Sequence, residues 1–193
     1  MDSVLISSVT GIGNYVLKTP FIQLINDKWP KCNIDIITGR GTLSEEITGE
    51  SKLVDHYIYY DEKKIKNIKL LFFLFRKKYD ITFMPFDSSP ILIQFFSIFL
   101  PGRKVFHNKI YGKNINPIIK ALSFLTNSIF NDKIIFVDYV EDKHEIELNI
   151  DLFESIAKRP KNKKFEKKVY VSNNLSFDKI FNTFPSKEYL FFQ

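Results

Sequence analysis

Gly11-Ile12-Gly13-Asn14 follows closely on an apolar run, Val4-Leu5-Ile6, and leads into a helix-period pattern. A strand, a glycine turn and a helix in that order can set backbone N–H groups, and the positive end of a helix dipole, against an anion or a sugar hydroxyl. Open parallel sheets bind their ligands at such a turn. Glycine there admits backbone angles that a side chain would forbid, and it lets a ligand approach the chain closely. A dinucleotide fingerprint would want a third Gly or Ala where Val16 stands, so a nicotinamide-dependent oxidoreductase is a poorer match to the same residues.

Two more loops fall at the same rim. Thr38-Gly39-Arg40-Gly41 follows the apolar Ile34, Ile36 and Ile37, and Arg40 could bind a phosphate or carboxylate with two parallel hydrogen bonds. Asp87-Ser88-Ser89 follows a strand-like run ending at Met84. Asp87 could meet sugar hydroxyls or act as a general base, whereas Ser88 and Ser89 also suit a helix cap. His56, His107 and His144 are scattered, and with Cys32 they give no metal-ligand spacing, so no metal is expected. His107 closes a strand and would either line the cleft or serve as a satisfied structural histidine.

The elements that must position these residues alternate between strand and helix. Strands are expected at residues 3–8, 33–38, 56–60, 80–84, 104–107 and 133–137. Helix 1 runs from about Gly13 to Lys28 with Leu17, Phe21, Leu24 and Ile25 on one face. Pro20 either kinks it or opens it, with Thr19 as N-cap. A short helix is expected at 43–48. Ile65, Ile68, Phe72 and Phe75 mark the apolar face of another. Ser89 and Pro90 read as N-cap and first residue of a helix over 90–99 that is apolar all round and therefore expected to be buried. Residues 115–130 form the next helix. In the last, opened by a capping box of Asp142 and Glu145, Ile146, Ile150, Phe153 and Ala157 share a face. This alternation predicts an α/β fold, a Rossmann-like parallel sheet with helices on both faces. No internal repeat is present.

Bulk composition narrows the class. Of 193 residues, 45% are hydrophobic, enough for a buried core. A single cysteine excludes an intramolecular disulfide and fits a reducing compartment. No signal-peptide pattern opens the chain. The apolar runs Leu70–Phe75 and Ile91–Leu100 are too short to span a bilayer. Residues 158–168, KRPKNKKFEKK, hold seven Lys/Arg against one Glu, and the remainder has 21 basic and 21 acidic residues. The whole excess of charge therefore sits in one segment, which reads as a solvated linker or as a patch attracted to anionic lipid headgroups. A nucleic-acid binder would spread basic residues over a face, so no nucleic-acid partner is expected.

Longer motifs extend the pattern in order: Val4–Pro20 with Gly11, Ile12, Gly13, Asn14, Val16, Leu17, Thr19 and Pro20 at fixed spacing, then Trp29–Gly39, Val54–Asp61, Lys77–Pro90, Pro101–His107 and, more loosely, His144–Ile156. On these residues the chain resembles glycosyltransferase family 9, the heptosyltransferases of lipopolysaccharide core assembly and their relatives, across about its first 160 residues. The resemblance implies the GT-B architecture of two Rossmann-like halves, the N-terminal half holding the acceptor and the C-terminal half the nucleotide sugar. It implies metal-free transfer of a heptose or related sugar to a lipopolysaccharide or other surface-glycan acceptor. The setting would be cytoplasmic, with peripheral contact at the inner face of the membrane. Thr10, Gly11, Gly13, Arg40 and Ser88 are then the acceptor-binding candidates. The family's proposed base is the acidic residue of the glycine turn, and here that position is Asn14. An amide can orient a hydroxyl but has no useful basicity, which leaves Asp87 as the other catalytic candidate.

The expected organisation is an acceptor-binding domain over 1–157, the basic linker 158–168, and a truncated start of a donor-binding domain over 169–193, the chain being inactive alone. A glycan- or partner-binding module or decayed remnant that performs no chemistry is the rival reading.

Overall fold

The computed structural model describes residues 1–60, 66–85, 90–110, 113–114, 116–130 and 134–158. Six strands form one sheet: β1 (Ser3–Ser8), β2 (Asn33–Gly39), β3 (His56–Tyr60), β4 (Ile81–Met84), β5 (Arg103–His107) and β8 (Ile134–Val137). Lys109–Ile110 (β6) and Lys113–Asn114 (β7) form a small antiparallel pair that the sequence did not announce. In space the order is β3, β2, β1, β4, β5, β8, with every pair parallel. This is the doubly wound arrangement, and its order reverses between β1 and β4.

Alternation along the strands builds two cores. Val4, Ile6, Ile34, Ile36, Phe83 and Val105 face a layer formed by α1 (Ile12–Lys28), α2 (Ser44–Thr48) and α6 (Glu145–Glu154). Leu5, Ile37, Met84 and Phe106 face the opposite layer, α3 (Lys66–Arg76), α4 (Ile91–Ser97) and α5 (Pro117–Phe130). The ring of Phe21 from α1 meets Phe83 edge-on at 5.1 Å, and burying each such side chain stabilises the fold by about 1.5–3 kcal/mol.

α1 runs without a break from Ile12, so Thr19 is not an N-cap. Pro20 lies inside it and has no N–H for the carbonyl one turn back, that of Val16. The Thr19 hydroxyl donates to that carbonyl instead, at 2.8 Å.

Three expectations are corrected. Among the described side chains of α3, Leu74 is buried with Leu70 packed in the same cluster, while Phe72 and Phe75 are exposed; Ile65 and Ile68 of the expected face lie outside the described side chains. Apolar residues occupy two stripes of this helix, and the smaller aliphatic stripe fits the sheet. α4 is not buried all round: it begins at Ile91 with Pro90 as its cap, and Ile91 and Leu92 are exposed. α6 is capped by His144, whose side chain accepts from the Ile146 amide at 3.3 Å, rather than by an Asp142–Glu145 box.

The amino end of the sheet is tied together by residues 77–80. Asp35, fully buried in β2, accepts from the Tyr79 hydroxyl at 2.6 Å and pairs with Lys77 at 2.6 Å and His56 at 3.0 Å. The Asp80 carboxylate accepts from the amides of Asp2 and Ser3, which holds its pKa below the ordinary carboxylate range. Gly102 has φ +87, and a Cβ there would run into the Tyr79 and Asp80 carbonyls. Only glycine fits that approach.

Candidate functional site

The opposite, carboxyl end of the sheet carries the glycine turn. β1 ends at Ser8, and Val9 and Thr10 lead to Gly11, which caps α1 through its backbone with no side-chain hydrogen bond. Among the described residues no N-cap side chain serves the amides that begin the helix, which stand at the positive end of its dipole. Gly11 has an extended backbone with φ −73, and Gly13 has no positive φ. Among the described residues, a Cβ at either would meet nothing within 4 Å. Neither backbone angle nor packing requires glycine here, contrary to the expectation of a turn that needs it. Among the described residues the two glycines leave open space over the first helical turn, where a ligand can approach the backbone.

The second loop is joined to the first. The Thr42 hydroxyl, in the short 3-10 turn Arg40–Thr42, donates to the Thr10 carbonyl at 2.6 Å. Thr10, Gly11 and Arg40 thus belong to one rim. Arg40 is exposed, and its guanidinium lies 5.9 Å from the centre of the Tyr59 ring. The Tyr59 hydroxyl donates to the Glu45 carboxylate at 2.7 Å. Burial and the neighbouring Glu45 push the Tyr59 pKa well above its usual value, so this hydroxyl stays protonated as a donor.

Asn14 lies half-buried in the first turn of α1. Its backbone carbonyl accepts from the Lys18 ammonium at 3.2 Å, and Lys18 also pairs with Glu145 at 3.4 Å. Lys18 is fully buried, an uncommon place for a lysine without a partner. The pair fixes the start of α6 beside the first turns of α1. Sequence reasoning missed it; the signal was a lysine one turn after Asn14 on an otherwise apolar helix face. Tyr15 anchors the same turn to α2 through its hydroxyl, 2.7 Å from that of Thr48, and burial raises its pKa strongly.

Ser8 Oγ, at the end of β1 where the strand order reverses, is buried with no hydrogen-bond partner among the described residues. Asp87 and Ser88 lie outside the described residues. His107 is buried at the end of β5, where its Nε2–H donates to the Leu148 carbonyl at 2.8 Å, so it is a structural histidine. Among the described residues no group of three or more His, Cys, Asp or Glu side chains could hold a metal ion. A groove of about 360 Å³ lies away from the glycine turn, between α5 and the edge strand β8, lined by Lys120, Phe124, Asn127 and Asp138 among others.

This architecture is a Rossmann-like α/β sheet with a ligand-accessible turn at its switch point. Solved structures of similar fold include the heptosyltransferase WaaC of E. coli bound to ADP-2-deoxy-2-fluoro heptose, with a TM-score of 0.61 at 15% identity over 83% of this chain and 50% of that one. They also include a family 9 glycosyltransferase of Veillonella parvula (TM-score 0.58, 14% identity, 89% and 46%). A third is the E. coli ADP-heptose lps heptosyltransferase II (0.51, 16%, 79% and 40%). At these identities the likeness is one of fold, and the chain covers half or less of the length of each of these proteins. No protein-family model matches the sequence, and no curated protein matches it significantly.

Proposed function

We propose that this chain is the acceptor-side half of a family-9-like glycosyltransferase, which with a donor half would transfer a heptose or related sugar from a nucleotide sugar to a lipopolysaccharide or other surface-glycan acceptor. The observation that carries this reading is the open, unstrained glycine turn at the point where the strand order reverses. The fold likeness to heptosyltransferases supports it. Thr10, Gly11, Gly13 and Arg40 would hold acceptor hydroxyls and anionic groups, with Asn14 orienting one hydroxyl. Asp87 is the remaining candidate base and Ser88 a further acceptor contact. The chemistry requires no metal or cofactor on this reading, and the nucleotide sugar is a substrate of the donor half. The work would be done at the cytoplasmic face of a membrane.

The test is an NMR titration of the chain with a delipidated inner-core oligosaccharide, and separately with ADP. The oligosaccharide should shift the amides of Thr10, Gly11, Gly13 and Arg40, while ADP should not bind tightly. Gly13→Ala should raise the melting temperature slightly, by about 1–2 °C, since alanine favours the helix by about 0.5 kcal/mol or more. It should also weaken the oligosaccharide at least tenfold by filling the space over the turn. Tight ADP binding, or no oligosaccharide binding by folded protein, would sink the reading.

Asn14 favours a second reading, a module that holds a glycan and performs no transfer. With a donor half supplied in trans, that reading gives no transfer by the wild type.

A further inference from the structure

The groove between α5 and β8 is lined by residues that the glycine turn does not use. Lys120, Phe124 and Asn127 stand four and three residues apart, so they share one stripe of α5. Ile134, Phe136 and Asp138 alternate along β8 and just past it, so they share one face of the strand. β8 ends the sheet, and among the described residues no further strand covers this stripe. Three strand spacings, about 14 Å, separate β8 from β1, so the groove is distinct from the turn. Its volume of about 360 Å³ is at the small end for ligand sites, which suits a single ring rather than a long chain.

The polar groups of the groove are anchored. The Asn108 Nδ2–H donates to Asp138 Oδ1 at 2.6 Å, and Asn108 Oδ1 accepts from the Tyr139 amide at 3.0 Å. The exposed carboxylate is thus held by an amide that is itself tied to backbone. A carboxylate has room for about four hydrogen bonds, so it keeps most of its accepting capacity. Asn127 spends its oxygen on the Ile134 amide at 2.9 Å, and its NH2 group remains to donate. The Lys120 ammonium stands 6.0 Å from the centre of the Phe136 ring. Phe124 is 75% exposed and gives the groove an apolar wall beside these groups.

We propose that this groove binds a neutral pyranose ring, with Asp138, Lys120 and Asn127 meeting its hydroxyls and Phe124 covering its C–H face. A hydroxyl donates and accepts at once, so one kind of ligand group serves the carboxylate, the ammonium and the amide alike. The C–H face of the ring is apolar and removes phenyl surface from water. The two charges of the lining cancel. A phosphate or nucleotide would meet the Asp138 carboxylate as well as the Lys120 ammonium, and like charge opposes that. A hydrocarbon would strip water from both charges and offer no partner in return. The site lies apart from the proposed acceptor residues, and it stands whether or not the glycine turn holds a glycan.

NMR titration of the full chain tests it, with the methyl glycosides of glucose, galactose, mannose and N-acetylglucosamine as separate probes. At the binding efficiency of small ligands, a single sugar ring should reach a dissociation constant of roughly 1 mM. At least one probe should bind in that range and shift the amides of Phe124, Asn127, Phe136 and Asp138. Asp138→Asn should weaken it about tenfold, because charge-assisted hydrogen bonds become neutral ones. Phe124→Ala should weaken it at least about threefold. Both side chains are exposed, so circular dichroism and melting temperature should be unchanged in these variants. Phe72→Ala, which removes an exposed phenyl outside the groove, should bind like wild type. Gly13→Ala should keep the groove shifts, so loss of binding at the turn is read separately. The proposal is overturned if no probe shifts the groove amides of folded protein. It is also overturned if Asp138→Asn and Phe124→Ala both bind like wild type. Tighter binding of phenylalanine or inorganic phosphate than of any glycoside at the same amides overturns it as well, since the groove would then serve a charged ligand.

Discussion

Replacing Asp35 with alanine should destabilise the chain by roughly 2–4 kcal/mol, and the structure shows how that figure arises. The carboxylate is fully buried and holds three partners. Without it, the Tyr79 hydroxyl, on a residue only 2% exposed, is left in the core with no acceptor, which costs about 1–3 kcal/mol. Lys77 is about a third exposed and His56 largely exposed, so both turn to water and add less than a buried pair would. For a chain of this size each kcal/mol corresponds to about 2–4 °C, so the melting temperature should fall by roughly 5–15 °C. Tyr79→Phe alone should cost about 1–2 kcal/mol. In the double variant no hydroxyl is orphaned, so its cost should be less than the sum by about 1 kcal/mol or more. Urea unfolding followed by circular dichroism at neutral pH measures all three. Simple additivity, or an Asp35→Ala cost below about 0.5 kcal/mol, would refute the account of Asp35 as the centre of a desolvated network.

Two further outcomes follow from single residues. Burial holds the His107 pKa below its ordinary 6.5, so the unfolded chain takes up this proton first as pH falls. Its contribution to stability is therefore complete above about pH 6.5 and declines below it, by up to about 1.4 kcal/mol per pH unit. His107→Gln should flatten that part of a urea-midpoint profile, whereas the depressed Asp80 acts only at more acid pH, below its ordinary 3.8. Gly102→Ala should cost about 2–4 kcal/mol in thermal unfolding, from a positive φ and a blocked approach to the 79–80 backbone, while Gly11→Ala should move the melting temperature by no more than about 1 °C.

The strands were legible because their apolar runs are short, regularly spaced and separated by helix-period segments, and the order of elements gave the parallel sheet. The position of the glycine turn and of Arg40 at a common rim was legible for the same reason. What sequence could not supply was direction. In α3 both the Leu70–Leu74 stripe and the Phe72–Phe75 stripe repeat at helical spacing, and only packing against the sheet selects the first. Periodicity also cannot distinguish a helix buried all round from one whose outer apolar side is exposed, as with Ile91 and Leu92. Asp35 and Lys18 were invisible as partners because their counterparts lie far along the chain, at Tyr79 and Glu145. The glycine turn was read for backbone freedom, yet the structure uses ordinary angles there, and its openness depends on surrounding atoms that no local pattern records.

The ties among Asp35, Asp80 and Gly102 lie at one end of the sheet, and the glycine turn lies at the other. Selection can therefore act on the two ends separately. A lineage can exchange exposed side chains along the open rim, such as Arg40, with small effect on whether the protein folds, while the buried ties of both ends, Asp35 with Tyr79 and Tyr15 with Thr48, stay in place. The same division recommends the rim over the strand starts as the place to randomise when seeking new ligand preferences in this scaffold.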